Sequence, residues 1–200
     1  FEGAKDLPAI VHCAAKLRVA LKDKLLLFTF RTKAEGGKVA LAHEEYLHFI
    51  RTVLATDCAD LIDIEFFTAG AELPALIEEA HTAGAAVVCS SHNFHKTPPR
   101  AELVSRMVAM QQAGADLPKL AVMPQSRTDV LELLAATAEM ADRHPETPII
   151  TMSMGALGAV SRLSGEALGS AMTFANPGQA SAPGQVSLEV VNEVLDALHL

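Results

Sequence analysis

Positive charge is in short supply: 16 Lys and Arg stand against 24 Asp and Glu, a formal charge of −8. Nucleic acid and anionic membrane surfaces attract basic faces, so neither is expected as a partner. No stretch reaches 18 uncharged apolar residues, so no transmembrane helix is expected. Cysteine is scarce, with Cys13, Cys58 and Cys89 far apart and no C-x-x-C pair. That excludes a disulfide framework and a zinc ribbon; each thiol reads as a small buried hydrophobe, and a reducing, cytoplasmic setting is the expectation. Residues 1–6 show neither the regions of a signal peptide nor an initiator Met. Two nucleotide-binding signatures are missing too. Met154-Gly155-Ala156-Leu157-Gly158 lacks the middle glycine of a G-x-G-x-x-G turn, and no G-x-x-x-x-G-K-[ST] loop occurs.

Apolar residues, in contrast, make up half of the 200 positions. That much buried surface can offset the entropy of ordering the chain, so a folded domain with a sizeable core is expected. Ile10, Ala14, Leu17 and Leu21 recur at helical spacing and predict a helix over 7–22. The run Leu25-Leu26-Leu27-Phe28-Thr29-Phe30 lacks polar alternation, as in a strand buried on both faces of a parallel sheet. Strands at 61–66, 86–90, 119–123, 149–154 and 171–174 then alternate with helices at 44–54, 73–81, 98–113, 128–141, 160–168 and 187–198. Thr97-Pro98-Pro99 opens one of these helices and Gly114 ends it. Six strand–helix units after a leading helix, with no linker between them, argue for one α/β domain over 1–200. Polar residues gather at the ends of several strands, which favours a barrel over an open doubly wound sheet.

Arg31 and Glu35-Gly36-Gly37 follow the first strand, Arg31 as a solvated loop residue or an anion clamp, Glu35 as a carboxylate able to orient a base. After the third strand, Ser91-His92-Asn93-Phe94-His95-Lys96 offers an imidazole suited to proton transfer. Its H-x-x-H spacing also raises a metal reading, with His92, His95 and a carboxylate such as Glu65 as ligands. Lys119 opens an apolar strand. It reads as a solvated lysine, or as a desolvated amine able to attack a ketone, provided that it reaches the cavity or the strand begins earlier. Arg162 and the loop Ser181-Ala182-Pro183-Gly184-Gln185 follow the last two strands, where they could cover an anionic substrate; Met152 and Met154 read as core or cavity wall.

Taken in order, these segments resemble type I 3-dehydroquinate dehydratases of the shikimate pathway. The likeness runs through Phe28-Thr29-Phe30-Arg31 with Glu35-Gly36-Gly37, and Ser91-His92-Asn93-Phe94-His95-Lys96-Thr97-Pro98. It continues through Pro118-Lys119-Leu120-Ala121-Val122-Met123-Pro124-Gln125, Ile150-Thr151-Met152-Ser153-Met154 and Val160-Ser161-Arg162-Leu163-Ser164-Gly165-Glu166 to Ser181-Ala182-Pro183-Gly184-Gln185. The resemblance implies a (β/α)8 TIM-type barrel, a cytoplasmic homodimer, the small-molecule substrate 3-dehydroquinate, and neither metal nor organic cofactor. It implies Lys119 as the Schiff-base lysine, His92 as general acid/base and Glu35 as the carboxylate that orients it. Arg31 matches a substrate-site arginine, Arg162 the one that grips the substrate carboxylate, and Ser181 and Gln185 the loop that closes over it. The resemblance also implies two strands ahead of Phe1, the second ending in Glu-x-Arg. The expectation is therefore a barrel short of its first two strand–helix segments, with two strand edges unpaired. A chain cut from something longer, a split gene product and a non-catalytic relic all fit that expectation, and an aldolase-like Schiff-base enzyme is the rival activity.

Overall fold

The structure, a computed structural model, describes residues 6–198. Residues 1–5, read above as carrying no signal-peptide pattern, lie outside the described residues. Contacts divide the chain into two compact units, one holding residues 6–91 and 112–116, the other 92–111 and 117–198.

In the first unit, Pro8 sits in the first turn of α1 (Leu7–Leu21), where its missing N–H costs nothing. Ile10 and Ala14 are buried as the spacing predicts, but Leu17 of the same stripe is 43% exposed. β1 (Leu27–Thr29) leads to α2 (His43–Leu54), which buries Tyr46, Leu47, Phe49, Ile50, Val53 and Leu54. The Phe49 ring meets those of Phe28 and Phe30 at 5.8 and 4.6 Å between centroids. β2 (Leu61–Glu65) is buried throughout and passes directly into α3 (Phe66–Ala69), then α4 (Leu73–Thr82). β3 (Ala86–Asn93) follows, residues 86–91 of it belonging to this unit. The ladders are parallel, Leu27 opposite Leu61 and Leu61 opposite Ala86.

The second unit holds α5 (Arg100–Gln112), β4 (Leu117–Val122), α6 (Arg127–Arg143), β5 (Ile150–Ser153), α7 (Ala159–Leu163) and α8 (Leu188–Leu198). The Ser126 hydroxyl accepts the Asp129 N–H and so caps α6. β4 and β5 pair in parallel, Lys119 opposite Ile150 and Ala121 opposite Met152. Strand alternation gives the two faces different tasks. Thr151 shares a hydrogen bond with Thr137 of α6 at 2.6 Å, so Leu120, Val122, Thr151 and Ser153 face the helix layer. Lys119, Ala121, Ile150 and Met152 take the opposite face.

Parallel strands joined through helices give the expected α/β class, with corrections. The helix expected to open at Thr97-Pro98-Pro99 begins at Arg100, and the Thr97 hydroxyl is buried without a hydrogen-bond partner instead of capping it. The 25–30 run is not buried on both faces: Leu25 is 72% exposed and only three residues enter the ladder. Within its unit β1 is flanked by β2 alone. Residues 171–174 form no strand. Ser170 bridges Ile149 and the Ala171 N–H reaches the Ile149 carbonyl, but the ladder goes no further, because strand propensity needs a paired neighbour. The described residues thus carry five strands rather than six. The helix expected over 160–168 ends at Leu163, and a separate 3-10 turn covers Glu166–Leu168. Finally, the third and fourth strands are longer than predicted: His92 lies on β3 rather than in a loop, and Lys119 is the third residue of β4.

Candidate active site

The first unit gathers charge at the end of β1. Asp63 and Glu65, two apart on β2, share a face and are both fully buried. Arg31 meets them there: Nη2 donates to Asp63 at 2.7 Å, and Nη1 donates to Glu65 at 2.9 Å and to the Ser90 hydroxyl at 3.0 Å. Glu35, buried at 5% exposure, lies 3.5 Å from Nη1. Burial disfavours the guanidinium charge, but Asp63 and then Glu65 outweigh it, holding the Arg31 pKa above its ordinary value. The guanidinium thus already faces three carboxylates.

Glu65 also fixes the turn that presents Glu35. It accepts the Thr32 N–H at 2.9 Å, the Thr32 hydroxyl at 2.7 Å and the Thr68 hydroxyl at 2.6 Å, while its own N–H donates to the Tyr46 hydroxyl at 2.8 Å. The Thr32 carbonyl in turn accepts the N–H groups of Glu35 and Gly37 at 3.1 and 2.8 Å. A Cβ on Gly37 would stand 1.8 Å from the Arg31 carbonyl oxygen, so only glycine lets the turn close. Gly37→Ala is expected to open this turn, cost about 1–3 kcal/mol of stability by denaturant titration, and lower turnover more than substrate affinity. Unchanged stability and turnover would show that the turn tolerates a side chain.

The second unit holds Lys119, 6% exposed, on the β4 face opposite α6. Its Nζ stands over the Phe174 ring, 4.6 Å from the centroid. Met152 shares that face, and Arg162 Nη1 donates to its sulfur at 3.4 Å. Arg162 is 2% exposed; its Nη2 donates to the Pro183 carbonyl at 3.2 Å, and its Nε, also buried, has no hydrogen-bond partner. Burial lowers its pKa, and no carboxylate among the described residues pairs with it. A buried cation without a counter-ion is a costly arrangement that an anionic ligand relieves.

The 181–185 loop packs beside it. Gly184 has φ +76°, and a Cβ there would fall 2.3 Å from the Gly155 carbonyl oxygen; the Gly155 N–H donates to Pro183 at 3.2 Å. Gln185 Oε1 accepts the Ser181 N–H at 2.7 Å and its hydroxyl at 3.2 Å, closing the loop on itself. His92, also of the second unit, is half-buried and lies on β3.

The metal reading loses its third ligand, because Glu65 is surrounded by hydrogen-bond donors and His95 is exposed. Among the described residues no cluster of three or more His, Cys, Asp or Glu could hold a metal ion. Nor is any helix among them long and apolar enough to cross a membrane. Cys89 is buried, which pushes its thiol pKa up, whereas Cys13 and Cys58 are half-buried. Sequence reasoning missed Asp63, Ser90, Tyr46 and Phe174, and weighed Glu65 only as a metal ligand. Two carboxylates inside the apolar run 61–66 were a readable signal for the first cluster; nothing local marked Phe174.

A family model described as Type I 3-dehydroquinase matches residues 1–200. A 3-dehydroquinate dehydratase of Klebsiella pneumoniae is 48% identical over 198 residues, 99% of this chain and 79% of that protein. One of Salmonella agona is 46% identical over 199 residues, 100% of this chain and 79% of its own. Among solved structures, a type I 3-dehydroquinate dehydratase of Clostridium difficile with covalent modified comenic acid aligns at a TM-score of 0.93 and 43% identity, covering 98% of this chain and 77% of that one. The α/β fold is therefore that of type I dehydroquinase structures, and the chain spans about four fifths of these relatives' length. Matched from its first residue to its last, the chain belongs to the type I 3-dehydroquinase family.

Proposed function

We propose that this chain dehydrates 3-dehydroquinate to 3-dehydroshikimate through a Schiff base on Lys119. The observation that carries the reading is the pairing of functions on one face of the second unit: a buried amine, and beside the same strand pair a buried arginine with no carboxylate partner. A ketone that also bears a carboxylate needs both.

The Lys119 amine adds to the ring ketone and water leaves, giving a cationic imine that acts as an electron sink. His92 takes the adjacent proton, and the electron pair delocalises as an enamine. The same histidine, now protonated, gives its proton to the departing hydroxyl, and hydrolysis of the imine releases the enone. Glu35 is assigned to orient His92 and raise its basicity; its buried seat on the Thr32 turn suits a fixed carboxylate. Arg162 is assigned to the substrate carboxylate, and Arg31, whose charge is already met, to the neutral hydroxyls. Ser181 and Gln185 belong to the loop that covers the substrate. A single barrel domain over 1–200 is supported by one family model matching the whole chain; a homodimer and a cytoplasmic location complete the proposal.

The test adds 3-dehydroquinate to the purified chain and follows the enone absorbance of the product, then repeats the incubation with borohydride and maps the adduct by peptide mass. A rise in absorbance and an adduct on the Lys119 peptide are expected. No absorbance change at high enzyme concentration would overturn the reading for this chain.

A further inference from the structure

The segment that carries Phe174 forms no strand, yet both of its ends are held. The Ala171 N–H donates to the Ile149 carbonyl at 2.8 Å, and the Asn176 N–H donates to Val186 at 2.9 Å. Asn176 is tied a second time through its side chain, which donates to the Gln185 carbonyl at 3.3 Å. Between these anchors the chain places one aromatic ring over one amine: Nζ of Lys119 lies 4.6 Å from the Phe174 centroid, within the range at which a ring face attracts a cation. The amine is almost fully buried, where such an attraction is least screened by water.

We propose that Phe174 is a catalytic residue whose ring face stabilises the cation that Lys119 Nζ carries during the reaction. The inference rests on the Schiff-base reading above. The balance of charge shows where the ring acts. An ammonium and a ketone become an iminium and water, so Nζ is positive at the start and at the end of imine formation. The ammonium must first lose its proton to attack; the amine lone pair then bonds to the carbonyl carbon as the carbonyl π pair moves to oxygen, and that proton and a second from the nitrogen end on the departing oxygen. The cation returns when the nitrogen lone pair forms the C=N bond and the oxygen leaves as water. It disappears again in the enamine and returns once more when the enamine expels the protonated hydroxyl. Up to the loss of the hydroxyl, the ring opposes the two steps that discharge Nζ and favours the two that recharge it. Expulsion of the hydroxyl is the harder of the recharging steps, since it breaks a C–O bond of the substrate itself, and with the neutral enamine as the state that precedes it the ring lowers this barrier.

The test replaces Phe174 with 4-fluoro-, 3,5-difluoro- and 3,4,5-trifluorophenylalanine, which hardly alter the ring's shape but drain its face of negative potential. Single-turnover rates of dehydration, the borohydride adduct on Lys119 and the thermal midpoint are measured for each. The logarithm of the rate is expected to fall steadily along the series, to on the order of tenfold for the trifluoro ring, with the midpoint unchanged. A flat or rising series with normal adduct on Lys119 overturns the role of Phe174 and leaves the Schiff-base reading standing. Absence of any adduct on Lys119 in the unsubstituted protein overturns the Schiff-base reading, and this inference with it.

Discussion

Lys119→Ala is expected to abolish the borohydride adduct and to lower kcat by on the order of 10⁴-fold or more, the scale seen when a covalent nucleophile is removed. Position 119 is the third residue of β4, nearly buried, on the face turned away from α6. No neighbouring amine among the elements that line this face can substitute for it: Ala121, Ile150 and Met152 are all apolar. His92→Ala provides the contrast. It removes proton transfer but not the amine, so turnover should fall by about 10²–10⁴-fold while the adduct remains trappable. A full adduct in Lys119→Ala would sink the assignment, and loss of the adduct in His92→Ala would show that the histidine is needed before the imine forms.

The second large effect concerns Arg162. Arg162→Met keeps a flexible apolar side chain of similar reach beside Met152 and removes the charge. Truncating a buried, charge-assisted contact costs about 2–5 kcal/mol, so kcat/KM should drop by roughly 30- to 4,000-fold, most of it in KM. Stability should move the other way. Arg162 is a buried cation with no carboxylate partner and an unmatched Nε, and its removal relieves that cost, although the Pro183 carbonyl loses a donor. A thermal midpoint equal to or above the parent's, with weakened substrate binding, is the expected pair. A variant that loses stability and keeps its KM would show that the arginine braces the 181–185 loop rather than binding substrate.

Much of the scaffold was legible because it rests on short-range pattern. Ile10 and Ala14 lie on the buried face of α1 that their spacing predicts, and Gly114, at φ +99°, follows the end of α5 as a helix-stopping glycine does. The 171–174 segment went astray for an equally physical reason. Thr and Phe favour extended backbone, but a strand exists only where a neighbour completes the ladder, and pairing is not a local property. β1 shows the same limit: an unbroken apolar run announces burial, yet Leu25 is exposed, since burial depends on what is packed against it.

The site divides in the same way. Residue types and their order marked Lys119, His92, Glu35, Arg31 and Arg162 as candidates, each with an ordinary alternative, and the resemblance to type I 3-dehydroquinate dehydratases implied their roles and the reaction class. The electrostatic setting of each group came only with the tertiary structure. Arg31 and Arg162 read alike in sequence, each an arginine just past a strand. Folding surrounds the first with Asp63, Glu65 and Glu35, and leaves the second buried with only a sulfur and a carbonyl oxygen as partners. The sequence by itself determined which chemical groups this protein owns and the parallel α/β frame that carries them. Which arginine has charge to spare, and which ring lies over the lysine, only the tertiary structure decided, because charge compensation and ring contact are set by neighbours tens of residues away along the chain.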